Sequence, residues 1–169
     1  MQIPGEAAAE ISCPYAIIEK TGEKKRMREK EEIVVKIVYQ RTAFYYETDQ
    51  RAIIHHANYI RWFEIGRVEF LRAAGITLTE MMDDGYVFPI TEVSAKYMNS
   101  ARFDDELLIE TTPEALTKAK MAFTYRVLRK SDNLLLVTGR TQNVFTSMET
   151  GHITRLPAKY YERLQKALE

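Results

Sequence analysis

A single cysteine, Cys13, occurs among 169 residues, so no internal disulfide can form and nothing marks an oxidised, exported scaffold. An excess of either charge is also missing, since 24 Lys and Arg balance 24 Asp and Glu. That balance argues against broad binding to nucleic acid, whose phosphates demand a basic face. No stretch is long and apolar enough to span a bilayer, and Glu6 and Glu10 interrupt any signal-like N-terminus. These absences predict a cytoplasmic protein. The seven glycines form no GxGxxG and no Walker-type loop, and no GxSxG occurs. His55, His56 and His152, with one remote cysteine, make no metal-ligand spacing.

What remains is long enough for one domain with a real core. Residues 1–32 read as an accessory N-terminal leader: Ala7–Ala9, an apolar patch at Tyr15–Ile18, then the charged run Glu23–Glu32. Such a run buries little. From Ile33 the pattern turns to strand, with Val35, Ile37 and Tyr39 alternating with Lys36 and Gln40 up to Tyr45 or Tyr46. A helix is predicted from about Asn58 to Ala74, with Tyr59, Phe63, Gly66, Phe70 and Ala73 on its apolar stripe. Glu69 and Arg72 fall on the opposite, wet side, whereas Arg67 lies nearer the apolar face with its stem buried and its head free. Gly66 costs helix propensity, about 1 kcal/mol, which a close approach of helix to sheet would explain. Gly75 suits the C-terminal cap, and Thr77 to Glu80 has the form of a capping box opening a short helix before Gly85. Four strands follow at 87–100, 106–113, 118–130 and 134–148, with a turn at Ser131-Asp132-Asn133. Pro157 opens a terminal helix whose Tyr161, Leu164 and Leu168 share a face. One long apolar helix with a meandering antiparallel sheet predicts an α+β domain, the helix wrapped by a curved five-stranded sheet.

The chemistry concentrates between Tyr46 and Arg72. Asp49 stands seven positions before His56. A helix start there presents unpaired backbone N–H groups and a small positive pole. A carboxylate facing such a pole across a carbonyl-sized gap suits acyl chemistry. An ordinary turn aspartate is the plain alternative.

Tyr46-Glu47-Thr48-Asp49 and Ile53-Ile54-His55-His56-Ala57-Asn58-Tyr59 resemble the loop and helix start of hot-dog-fold acyl-CoA thioesterases, in particular the 4-hydroxybenzoyl-CoA thioesterase branch. The similarity continues through Arg61–Glu64 and Arg67–Arg72, then Tyr97–Asp105, then Arg155-Leu156-Pro157, covering roughly residues 33–168. The resemblance implies a hot-dog domain over 33–169 that pairs into homodimers or homotetramers, with active sites between subunits. It matches Asp49 to the family's essential carboxylate, and His56 to the position whose backbone N–H polarises the thioester carbonyl. The substrate would be an acyl-CoA, or an acyl group on acyl carrier protein, with no metal or organic cofactor. Where the family commonly has two glycines, this chain has Gln50-Arg51-Ala52.

Further site candidates are Asn58, most simply a cap, and its neighbour Tyr59. Glu64 could assist a water in a neighbouring site or pair with Arg61 or Arg67. Lys118 and Lys120 begin a strand where the related branch sets basic residues against the CoA phosphates; an exposed pair at a strand end is the alternative. Two other functions compete with hydrolysis. A hydratase or dehydratase on the same fold would need a histidine-and-proline motif that is missing here. A non-catalytic acyl-CoA binder would suit the altered loop at Arg51-Ala52.

Overall fold

Strand β2, Val34–Thr42, is the first element of the predicted meander. The computed structural model describes residues 16–21 and 34–169. Cys13, the charged run Glu23–Glu32 and the expected strand start at Ile33 lie outside those residues. Ahead of β2, strand β1 (Ala16–Thr21) pairs antiparallel with it, Ile18 opposite Ile37. Among the described residues the sheet therefore has six strands rather than five, the extra one drawn from the segment read as a leader. Its order is β1-β2-β5-β6-β7-β4, with β4 Ile90–Tyr97, β5 Glu106–Leu116, β6 Lys120–Arg129 and β7 Leu134–Val144, all neighbours antiparallel.

Strand breaks follow local chemistry. Between β2 and the helix, Tyr45–Glu47 forms a 3-10 turn, so β2 stops at Thr42 instead of continuing to Tyr45. The strand predicted over 87–100 splits at Phe88-Pro89 into β3 (Tyr86–Val87) and β4, because proline has no N–H for a ladder. The last strand likewise divides into β7 and β8 (Thr146–Ser147), and β8 pairs with β3 as a small second sheet. β6 opens at Lys120, two residues later than expected, because Thr117–Ala119 turn.

Helix α1, His56–Ala73, lies across the sheet. Its Tyr59, Trp62, Phe63, Phe70 and Leu71 are buried, as are Ile37, Leu107, Ile109, Phe123, Tyr125 and Val127 on the strands. Burying one such side chain contributes roughly 1.5–3 kcal/mol. The Phe63 ring stacks on Tyr125 at 4.5 Å between centroids. The expected close approach is present at Gly66, where a Cβ would lie 2.1 Å from the Thr111 Oγ1. Two placements differ from expectation. Glu69 is buried, its Oε1 taken by Arg72. Arg67 is buried along its whole length, its head beside the Tyr125 hydroxyl instead of free.

Gly75 ends α1 at φ 73°, with its N–H on the Arg72 carbonyl and the Ile76 N–H on the Leu71 carbonyl. Helix α2, Leu78–Asp83, is capped by Thr77, whose Oγ1 accepts the Glu80 N–H at 3.1 Å. Helix α3, Ala158–Lys166, returns over α2. Its buried anchors are Tyr160 and Leu164, with Tyr161 half-buried beside them. The Tyr160 hydroxyl donates to the Glu80 carbonyl at 3.1 Å, and Arg163 donates to the Gly75 carbonyl and the Glu80 carboxylate.

Candidate active site

The loop between the 3-10 turn and α1 is closed by short backbone bonds. The Asp49 N–H donates to Ile53 O at 2.8 Å, the Ala52 N–H donates to Asp49 O at 3.0 Å, and Thr48 bridges Ile54. Ala52 takes φ 56°, the left-handed region that glycine favours. The loop then rejoins the domain: the Ile54 N–H reaches Ala101 O and the His55 N–H reaches Glu47 O, both at 2.9 Å.

His55 is the cap of α1, its Nδ1 accepting the Ala57 N–H at 3.2 Å. His56 is therefore the first helical residue, two positions earlier than predicted, and Asn58 is not the cap. The Asn58 N–H donates to His55 O, whereas the His56 N–H meets no acceptor among the described residues. It remains an orphan donor at the positive end of an 18-residue helix.

The Asp49 side chain is 20% exposed. Its Oδ1 accepts the Arg51 N–H at 2.8 Å, and its Oδ2 accepts Arg51 Nη2 at 3.1 Å. These bonds, the backbone N–H foremost, hold its carboxyl below the ordinary 3.8. The group is ionised at neutral pH. Arg51 itself is 77% exposed, free to swing away from the carboxylate.

The other sequence candidates divide. Asn58 is buried, with Nδ2 donating to Glu47 O at 2.7 Å and Oδ1 accepting from Arg61. Tyr59 is buried in the core, and its hydroxyl accepts the Ala101 N–H at 3.0 Å; burial pushes its phenol up. Both build the floor under the loop. Glu64 is exposed and makes no ion pair among the described residues, because Arg61 turns to Asn58 and Arg67 turns inward. Lys118 lines a cleft of about 380 Å³ with Arg155, Leu156, Ala158, Tyr161 and Glu162, its Nζ 5.9 Å from the Tyr161 ring centre. Lys120 is exposed at the start of β6. A second cleft, about 260 Å³, is apolar and runs along Met81, Met82, Tyr86 and Phe88. Neither cleft includes Asp49 or His56.

Sequence reasoning passed over Glu47, Arg41, Trp62 and Tyr97. Glu47 is 4% exposed, with Arg41 Nη2 at 2.7 Å and Trp62 Nε1 at 2.9 Å on its two carboxylate oxygens. Tyr97, on β4, donates its hydroxyl to His56 O at 3.1 Å. Only the charge of Glu47 and Arg41 in an apolar neighbourhood could have drawn attention to them, since neither falls on a periodic face.

A curved antiparallel sheet around one long helix defines the hot-dog class. The profile of the Thioesterase-like superfamily matches residues 44–168, and the chain belongs to that family. Among curated proteins it is 28% identical over 92 residues to the acyl-CoA thioester hydrolase YbgC of Escherichia coli, spanning 54% of this chain and 69% of that one. A hypothetical protein from Thermus thermophilus has the same fold at TM-score 0.72 and 29% identity, over 78% of this chain and 97% of that one. A 4-hydroxybenzoyl-CoA thioesterase variant, solved with 4-hydroxybenzoyl-CoA, superposes at TM-score 0.68 with 22% identity, covering 76% of this chain and 98% of that one. That last likeness is one of fold.

Proposed function

We propose that this protein hydrolyses an acyl-CoA thioester to the free acid and CoA, with Asp49 and the His56 N–H as its working groups. The observation carrying this reading is an ionised carboxylate and an unbonded helix-start N–H on one loop, clipped together by the Thr48–Ile54 bridge. The thioester carbonyl oxygen takes the His56 N–H, whose strength the helix dipole raises as negative charge develops on oxygen. Asp49 then follows one of two routes. It attacks the carbonyl carbon, expelling CoA thiolate and leaving a mixed anhydride that water cleaves. Alternatively, it takes a proton from a water that attacks. In either route the C–S bond breaks, the thiolate leaves protonated as CoA, and water supplies the acid oxygen. Thioesters are electrophilic enough that no metal or organic cofactor enters.

The rings of Tyr45 and Tyr46 ahead of the Asp49 loop, 75% and 76% exposed, support a site completed by a second copy, in a homodimer or homotetramer. Strand β4 ends the sheet with Val93 and Tyr97 each 45% exposed, an edge suited to such pairing. Glu64 would then face water in the neighbouring site. Lys118 and Lys120, joined by Arg155, are the cations offered to the CoA phosphates. Acyl carrier protein is the alternative acyl carrier, nucleic acid is not a partner, and the setting is cytoplasmic. Among the described residues no helix is long and apolar enough to cross a membrane.

Arg51 on the Asp49 carboxylate is the one feature favouring a binder without turnover. Thiol release from acetyl-, hexanoyl- and benzoyl-CoA, measured for wild type and Asp49→Asn, separates the readings. Hydrolysis lost in the variant supports the enzyme. Tight acyl-CoA binding with no thiol released by wild type supports the binder.

A further inference from the structure

We propose that Glu47 is a positioning residue that sets the distance between Asp49 and the His56 N–H, an inference resting on the hydrolase reading above. Five donors converge on this one residue. Its Oε1 accepts Trp62 Nε1 at 2.9 Å, and its Oε2 accepts the Phe44 N–H at 2.8 Å and Arg41 Nη2 at 2.7 Å. Its carbonyl accepts the His55 N–H at 2.9 Å and Asn58 Nδ2 at 2.7 Å. The carboxylate thus ties the end of β2 to the middle of the helix, while the carbonyl ties the same residue to the helix cap and first turn.

Asp49 follows Glu47 by two residues, and His56 follows His55 directly. Both working groups are therefore hung from a single fixed point. Glu47 cannot itself touch substrate, because only 4% of it is exposed.

An acid is required there by electrostatics and by donor count. A buried carboxylate is tolerable only when paired and fully hydrogen-bonded. Arg41 supplies the charge, held 4.9 Å from the Trp62 ring centre and 5.4 Å from that of Phe44. Three donors face the two carboxylate oxygens. Glutamine has the same shape but turns its own NH2 toward at least one of them, and an unsatisfied buried donor is expensive. Misplacement by about 1 Å at a distance from the reacting atoms can lower a rate on the order of a hundredfold.

The test compares full-length wild type, Glu47→Gln and Trp62→Phe on whichever of acetyl-, hexanoyl- and benzoyl-CoA the wild type cleaves fastest. Assays run at a temperature where circular dichroism and oligomer mass match wild type. Glu47→Gln should lose about tenfold or more in kcat with KM within about threefold. Trp62→Phe, which removes one donor, should lose less, again in kcat. Acrylamide should quench the lone tryptophan more readily in Glu47→Gln than in wild type. A variant that melts earlier yet keeps wild-type kcat while folded would overturn the proposal. If Glu47→Gln does not fold, Trp62→Phe and Arg41→Lys decide, and unchanged kcat in both overturns it. Wild type releasing no thiol from any thioester removes the hydrolase reading itself, and this inference with it. Hydrolysis by wild type matched by Glu47→Gln removes this inference alone.

Discussion

Gly66 on α1 and Thr111 on β5 approach so closely that a methyl group on Gly66 would sit 2.1 Å from the Thr111 Oγ1 and 3.3 Å from Ile109. The helix can rest this low on the sheet because Gly66, and Gly139 beneath the Phe63 ring, have no side chains. Gly66→Ala gains about 1 kcal/mol of helix propensity, but overpacking costs about 1–3 kcal/mol. Net destabilisation is expected, lowering Tm by up to about 4 °C per kcal/mol in a chain of this size. Adding Thr111→Ala should recover much of the loss, since the clash and the substitution share one contact. Thermal unfolding of both single variants and the double reads this directly.

Asp49→Asn removes the charge from the one carboxylate on the site loop. Turnover should fall by a factor of about 10² to 10⁴, the range for losing a positioned base. Stability should hardly change, because among the described residues the partly exposed side chain bonds only within its own loop. Equal Tm with wild-type turnover would remove Asp49 from the mechanism.

The pH dependence has a definite sign. Bonds from Arg51 lower the Asp49 carboxyl below 3.8, so its ionised form persists into acid. Stability linked to this group is present above its unfolded value and is lost as pH falls through its folded value. In the rate profile, kcat/KM should show no acid limb from Asp49 between about pH 5 and 7. Arg51→Ala removes the guanidinium but keeps the backbone N–H, the larger cause. Any acid limb should therefore move upward only part of the way to 3.8.

Ala52 holds φ 56° without the freedom of glycine. A left-handed Cβ costs about 1–2 kcal/mol, while glycine adds about 0.4–1 kcal/mol of entropy to the unfolded chain. Ala52→Gly should therefore stabilise the protein by about 0.5–1 kcal/mol. Denaturant midpoints measure it, and a lower midpoint would contradict the strain.

Periodicity made the long helix legible from the residues alone, and a capping box did the same for the short helix after it. Gly66 was legible too, because a glycine inside an apolar stripe needs a reason. Harder to read were the breaks at Phe88-Pro89 and after Thr42, where a local bond or a missing N–H outweighs strand propensity. The Asp49 loop showed itself through a motif, not through periodicity. The buried group around Glu47 stayed hidden because Arg41, Glu47 and Trp62 come from a strand end, a turn and a helix. Only the folded chain brings them together. Glu69 and Arg67 mark the same limit, since a helical wheel assigns charge to water and the packing here encloses both.

Tyr97 has one further effect. Its ring sits on the outermost strand, and its hydroxyl holds the His56 carbonyl at 3.1 Å. Whatever presses against that margin is felt at the helix tip through a single phenol. If, as proposed, a second copy pairs along β4, turnover per molecule should decline as the protein is diluted, and enzyme kept at nanomolar stock should look weaker than the same mass assayed fresh from a concentrate.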